Sequence, residues 1–133
     1  GVMHRNTFLD SPRLLDRYYA DRRDPLVAFA GQMTGVEGYV ESTASGFLAG
    51  CSMAAKLKGE PLPDFPRETA IGALGLYVSN GSVGDFQPMN INFGLMEPLG
   101  IKKRMKKKEK NALIAKRALE EIETMKGDYP CLN

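Results

Sequence analysis

Three glycines at positions 31, 35 and 38, spaced G-x3-G-x2-G between two apolar segments, constrain this chain more than any other feature. Before them lies Leu26-Val27-Ala28-Phe29-Ala30, a short continuous apolar run of the kind found in strands buried on both faces. After them Val40, Ala44, Phe47, Leu48, Cys51, Ala54 and Ala55 recur at helical spacing up to Gly59. The expected unit is strand 26–30, glycine-rich turn 31–38 and helix 39–58. Glycines at such a turn let main-chain N–H groups converge, and the helix start adds partial positive charge; a phosphate, a ribityl hydroxyl or a flavin carbonyl suits that arrangement. A plain tight turn satisfies the same spacing. The pattern is not GxGxxG, and Glu37 inside it repels a diphosphate while accepting hydrogen bonds from sugar hydroxyls. The other positions of the helix are small: Ser42, Ser45, Gly46, Ala49, Gly50 and Ser52. Glycine inside a helix costs about 0.5–1 kcal/mol relative to alanine, so Gly46 and Gly50 predict a close approach by another backbone or a ligand.

The flanking segments follow from local signals. Residues 2–9 read as an extended lead-in, and Ser11-Pro12 as the cap and first turn of a short helix over 13–19. Pro61, Pro63 and Pro66 form a stiff connector to a second helix carrying Ala70, Ile71, Leu74, Tyr77 and Val78 and broken at Asn80-Gly81. Residues 85–99 mix Asn, Gly and Pro with apolar side chains, the composition of a packed ordered loop. A last helix is expected over 103–126, with Ala115, Leu119, Ile122 and Met125 inward and Gly127 as its stop.

Charge is segregated along the chain. The net +2 is the sum of −3 over residues 1–100, +8 over 101–117 and −3 over 118–133. The basic block contains Lys102, Lys103, Arg104, Lys106, Lys107, Lys108 and Lys110. It reads as a solvated helix face or as a phosphate-binding surface. Lysines at a helix start oppose the macrodipole, which favours a purpose other than helix stability, and no aromatic interleaves the run to stack single-stranded bases.

With 43% hydrophobic residues in 133, the chain has apolar material for one core, so whole-chain disorder is excluded. No apolar run approaches the ~20 residues of a membrane span, and no signal-peptide layout opens the chain. A cytoplasmic setting without membrane partners is expected. Cys51 and Cys131 lack CxxC or CxxH spacing, so no zinc site or disulfide framework is expected. Cys51 is taken as a packed thiol and Cys131 as a bystander. A start at Gly1 with an internal Met3 reads as a piece of a longer gene product.

Four stretches carry a specific resemblance: Met3-His4-Arg5-Asn6-Thr7-Phe8, the run from Phe29 to Ser42 (FAGQMTGVEGYVES), the run from Phe65 to Leu74, and Phe86-Gln87-Pro88-Met89-Asn90-Ile91-Asn92-Phe93-Gly94. In colinear order they resemble the TrmFO family of folate- and FAD-dependent tRNA (uracil-5-)-methyltransferases. The resemblance implies an α/β fold, the C-terminal segment of a glutathione-reductase-like FAD-binding Rossmann-type domain. Such a segment is helix-rich when taken alone and ends in a basic helix. It implies residues 1–60 in the FAD-binding domain and 61–133 as a helical C-terminal region, with the N-terminal GxGxxG in a missing part of the same protein.

Also implied are FAD as cofactor and 5,10-methylenetetrahydrofolate and NAD(P)H as co-substrates, with C5 of the tRNA T-loop uridine as the methylated atom. Gly31 and Gln32 would lie beside the ribityl chain; Thr34, Gly35, Glu37, Gly38 and Tyr39 would wrap the ring end. The N–H groups of Gly38 and Tyr39 would favour reduced flavin. Tyr39 either meets the flavin or fills core. His4, Arg5 and Asn6 would face folate or uridine, and the basic block would contact tRNA phosphates. The family places its reactive cysteines outside this segment, so no catalytic residue and no metal ligand are assigned here. Two alternatives stand: a GidA-type wobble-uridine enzyme, which shares the Phe-Ala-Gly-Gln turn, and a non-enzymatic RNA-binding module. A strand apolar on both faces needs covering, so the segment alone is expected to repack as a mostly helical unit around Leu26 to Ala30 or to form a homodimer.

Overall fold

The computed structural model describes residues 7–133. Its elements are α1 (Ser11–Leu14), a 3-10 turn at Gln32–Thr34, α2 (Tyr39–Lys58), α3 (Ala70–Val78), α4 (Lys107–Asp128) and a closing 3-10 turn at Pro130–Leu132. The described residues are thus helix-rich. Strand-like pairing among them is confined to three isolated bridges, Leu15 to Asp21, Ala20 to Ala28 and Val36 to Met89.

The buried strand expected at 26–30 does not form. Leu26 is 62% exposed and Val27 40%, and a lone antiparallel bridge at Ala28 is all the pairing the run makes. An apolar run becomes a central strand only when neighbouring strands take its N–H and C=O groups. Among the described residues only 19–21 do so, the Phe29 N–H reaching the Tyr19 carbonyl and the Asp21 N–H the Val27 carbonyl, and the core gathers elsewhere. The short first helix is also displaced: α1 spans Ser11–Leu14 and stops because Leu15 turns extended to bridge Asp21. Tyr19, at φ 64°, then reverses the chain while its ring is buried.

Helix α2 has the limits its glycines dictate. It starts after Gly38 and ends at Gly59, whose left-handed φ of 68° lets its N–H reach the Lys56 carbonyl while the Glu60 N–H reaches that of Ala55. This pair of bonds is the Schellman C-cap. Its inward side is turned from the expected stripe, of which Leu48 and Ala55 are buried and Ala44 and Cys51 half-buried. Glu41, Ser45, Leu48, Ala49, Ser52 and Ala55 are buried, while Val40 is 76% and Phe47 49% exposed. Helix α3 packs beside it: a Cβ on Gly75 would contact Leu48 at 3.7 Å and strike the Arg17 carbonyl oxygen at 2.6 Å. The close approach thus falls on α3. Gly46 meets only the Ala30 methyl at 3.9 Å, and Gly50 has open space around it.

Helix α3 is capped by Thr69, whose hydroxyl accepts the Gly72 N–H at 3.1 Å. Gly72 lies against the main chain of Phe65 and Pro66, so a side chain there would strike backbone oxygens. Helix α4 begins at Lys107, so Lys102 to Lys106 precede the helix without regular structure. A helix start amid lysines is opposed by the macrodipole, and the first turn holds Glu109 as its single acid. Its buried side runs through Ile114 and Met125, with Ala118 and Ile122 partly buried; Ala115 and Leu119 point out, one position from the expected stripe. It runs one residue past Gly127 and is capped at Tyr129.

One core joins Tyr19, Val36, Leu48, Ala49, Phe65, Leu74, Val78, Phe86 and Met125; a smaller one joins Ala73, Met96 and Ile114. Residues from both sides of position 60 share the first cluster. The loop over 85–99 lacks regular elements, as expected, and buries Phe86 and Met96.

Candidate functional site: the glycine turn and the 85–99 loop

All three turn glycines have positive φ, 79° at Gly31, 90° at Gly35 and 96° at Gly38. L-residues avoid this region, which is why the spacing tolerates no side chain. Their surroundings differ. Gly35 is buried under the Phe86 ring, whose Cε1 lies 2.5 Å from where a Cβ would stand. A Cβ on Gly38 would strike the Glu41 carboxylate and sit 3.1 Å from Asn90 Nδ2; one on Gly31 meets open space.

The turn is held from three directions. Ser45 of α2 accepts the Gly31 N–H at 2.8 Å and donates to the Ser42 carbonyl at 2.8 Å. Ser11 of α1 donates to the Thr34 carbonyl at 2.6 Å, and the Leu9 N–H reaches the Met33 carbonyl at 2.7 Å. From the third side the 85–99 loop docks as a short parallel pair. Glu37 donates to the Met89 carbonyl and Met89 to the Gly35 carbonyl, both at 3.0 Å. Asn90 Nδ2 then donates to the Glu37 carbonyl at 2.9 Å, and the Ile91 N–H to Glu41 Oε1 at 3.1 Å. Two sequence motifs some fifty residues apart are one structural unit.

This arrangement sorts the residues singled out from the sequence. Thr34 is fully buried, with its hydroxyl donating to the Gly31 carbonyl at 2.8 Å; Thr34 and Gly35 build the turn from inside. Gln32, Gly38 and Tyr39 form its exposed rim, with Gly31 and Glu37 half-buried between. Tyr39 is 95% exposed, so its ring fills no core among the described residues. The N–H groups of Gly38 to Glu41 precede the first helical bond, from Ser42 to the Gly38 carbonyl, and find no acceptor among the described residues. His4, Arg5 and Asn6 lie outside the described residues.

Sequence reasoning missed Ser45, Asn90 and Glu41. Glu41 stands in the first turn of α2, mostly buried. With Glu37 it puts two carboxylates beside a positive helix end, which disfavours a second anion there. Neutral hydroxyls or ring carbonyls suit such a rim, whose open N–H groups donate while Glu37 accepts. The residues present therefore fit the ribityl and ring portion of a flavin better than its diphosphate. The signal for Glu41 was its place three residues after the helix-opening glycine.

The seven cations Lys102, Lys103, Arg104, Lys106, Lys107, Lys108 and Lys110 are all exposed and unpaired among the described residues. The chain leading to them is anchored. Arg117 of α4 donates to the carbonyls of Glu97 and, at 3.1 Å, Pro98, while Arg67 pairs with Glu97 at 3.2 Å and donates to the Leu95 carbonyl. No described residues form a group of acids, cysteines or histidines able to hold a metal, and no described helix is long and apolar enough to cross a membrane.

Comparison with known proteins gives this geometry its context. Residues 1–61 match the family described as Glucose inhibited division protein A. Three curated relatives carry the name methylenetetrahydrofolate–tRNA-(uracil-5-)-methyltransferase TrmFO. That of Desulfitobacterium hafniense (strain Y51) is 52% identical over 127 residues, 96% of this chain and 29% of its own length. The Natranaerobius thermophilus protein is 54% identical over 123 residues, 92% of this chain and 28% of its own. The Acetivibrio thermocellus protein is 52% identical over 129 residues, 97% and 29% respectively. The chain thus spans under a third of the length of the curated relatives it matches.

Proposed function

The chain belongs to the TrmFO family, and on that premise we propose that it is a C-terminal segment of a flavoenzyme that methylates C5 of the T-loop uridine in tRNA. The supporting observation is the rim of Gly31, Gln32, Glu37, Gly38 and Tyr39, which offers free N–H donors and an acidic acceptor on a turn clamped from three sides. FAD bound there supplies the redox and one-carbon chemistry, with 5,10-methylenetetrahydrofolate and NAD(P)H as co-substrates. This chain's residues bind and orient. Gly31 and Gln32 flank the ribityl chain; Glu37 accepts from its hydroxyls; the N–H groups of Gly38 and Tyr39 stabilise negative charge on the ring. Thr34 and Gly35 fix the turn so that those donors keep their aim. His4, Arg5 and Asn6 face folate or uridine. The basic block contacts tRNA phosphates without reading sequence.

The rest of the Rossmann-type α/β domain, including the diphosphate turn, comes from the other part of the same protein. That part covers the apolar run 26–30 and the outward Val40 and Phe47, and the segment alone is inactive. A cytoplasmic site of action fits a tRNA substrate. The match to Glucose inhibited division protein A keeps wobble-uridine modification as the second reading. The test is to give the full-length protein unmodified tRNA, NADPH or NADH and methylenetetrahydrofolate, then map modified nucleosides by mass spectrometry. Ribothymidine in the T-loop is the expected product. A modified wobble uridine selects the second reading, and no modification overturns both.

A further inference from the structure

The two cysteines, 80 residues apart, meet where the chain closes on itself. Cys51 lies on α2 and Cys131 in the 3-10 turn Pro130–Leu132, which packs against both α2 and α4. The Cys51 Sγ–H donates to the Cys131 carbonyl at 3.4 Å, and both cysteines are half-buried and not disulfide-linked. Burial pushes the Cys51 thiol up, and the neighbouring Cys131 adds to that. A half-buried thiol without a metal or a charged partner is otherwise a small apolar filler. Two cysteines brought together by separate elements, with the Cys51 sulfur against the Cys131 main chain, are instead a pair with a defined reaction.

We propose that Cys51 and Cys131 form a reversible intrachain disulfide that staples the chain end to α2. The oxidant is a low-molecular-weight disulfide such as oxidised glutathione. One cysteine thiolate attacks the glutathione disulfide, forming a mixed disulfide and releasing one glutathione thiol. The second cysteine displaces the other glutathione. Two cysteine S–H bonds and one glutathione S–S bond are exchanged for one protein S–S bond and two glutathione S–H bonds, so the protein loses two protons and two electrons. Because α2 starts at the glycine turn and α4 carries part of the basic block, the staple ties the turn's helix to the end of α4. Its occupancy tracks the thiol–disulfide ratio around the protein. Nothing in this pairing depends on the proposed enzymatic role.

The experiment equilibrates the full-length protein with defined mixtures of reduced and oxidised glutathione, blocks remaining thiols with an alkylating agent, and maps tryptic peptides. Cleavage after Arg23, Lys56 and Lys126 places Cys51 and Cys131 in separate peptides. The expected product is a linked pair of these two peptides, about 2 Da lighter than their sum and split by reductant. Repeating the equilibration in concentrated urea gives the reference in which only chain connectivity holds the thiols together, an effective concentration of order millimolar or lower. The native value is expected to exceed it by roughly a hundredfold or more. A ratio near one, or two cysteines each capped singly by glutathione with no linked peptide, overturns the proposal. Cys51→Ser and Cys131→Ser are each expected to leave the remaining thiol as a single glutathione adduct.

Discussion

The same substitution, glycine to alanine inside a helix, is expected to act with opposite sign at Gly50 and Gly72. Alanine gains about 0.5–1 kcal/mol over glycine in a helix interior through lower backbone entropy in the unfolded chain. At Gly50 of α2 nothing lies within 4 Å of the added methyl, so the gain is realised in full. At Gly72 of α3 the methyl strikes the Pro66 carbonyl oxygen and lies 2.5 Å from that of Phe65 and 2.8 Å from its carbon. These are main-chain atoms held under the buried Thr69 cap and cannot swing aside as a side-chain tip does. Overpacking of this kind costs about 1–3 kcal/mol or more, which exceeds the propensity gain. The net expectation is about 1–2 kcal/mol lost at Gly72 and about 0.5–1 kcal/mol gained at Gly50. With a urea slope of about 2 kcal/mol/M, the midpoint falls by about 0.5–1 M for Gly72→Ala and rises by about 0.3–0.5 M for Gly50→Ala. Far-ultraviolet circular dichroism of the helices reads both. A Gly72→Ala midpoint at or above wild type refutes the packing of α3 on residues 65–66.

Three further outcomes are expected. Charge reversal of Lys106, Lys107 and Lys108 to Glu in the full-length protein weakens tRNA binding and flattens its salt dependence by about 0.7–0.9 in log–log slope for each phosphate no longer neutralised, measured by filter binding across a salt series; unchanged affinity removes the block from the interface. Burial raises the phenol of Tyr19 from its ordinary 10.0, so the folded state holds that proton more tightly. Its contribution is complete below about pH 10 and is lost as pH climbs from there toward the folded value. Urea midpoints at about pH 8 and 11 show the drop, and Tyr19→Phe removes that part of it. The 133-residue segment alone, with Leu26, Val40, Phe47 and Leu119 outward, self-associates in analytical ultracentrifugation; a concentration-independent monomer contradicts the reading that this surface is normally covered.

Much of the local structure was legible because it depends on residues adjacent in sequence. Gly38 and Gly59 set both ends of α2, since one needs φ near 96° and the other near 68°. The proline connector, α3 and the irregular 85–99 loop followed from turn chemistry and periodicity in the same way. The glycine spacing announced the turn, and the motif wording announced the family. Those signals reached Gly31, Gln32, Gly38 and Tyr39 but not Ser45 or Asn90, which act on the turn through hydrogen bonds to distant main chain.

Tertiary structure alone decided which side of each element faces in. On α2 Leu48 and Ala55 of the expected stripe are buried but Val40 and Phe47 are outward, and the side lined by Ser45, Ala49 and Ser52 is buried instead, with Ser45 bonded to the glycine turn and Ala49 in the core. On α4 Ile122 and Met125 face in as expected, while Ile114 and Ala118 replace Ala115 and Leu119, since Ile114 meets Ala73 and Met96. Periodicity shows that a helix has two unlike faces, but the shape of the neighbour selects between them. The run 26–30 shows the same division. Its sequence made it fit for a buried strand, and whether it becomes one depends on strands on both sides to take its main-chain hydrogen bonds; among the described residues only the short stretch 19–21 pairs with it.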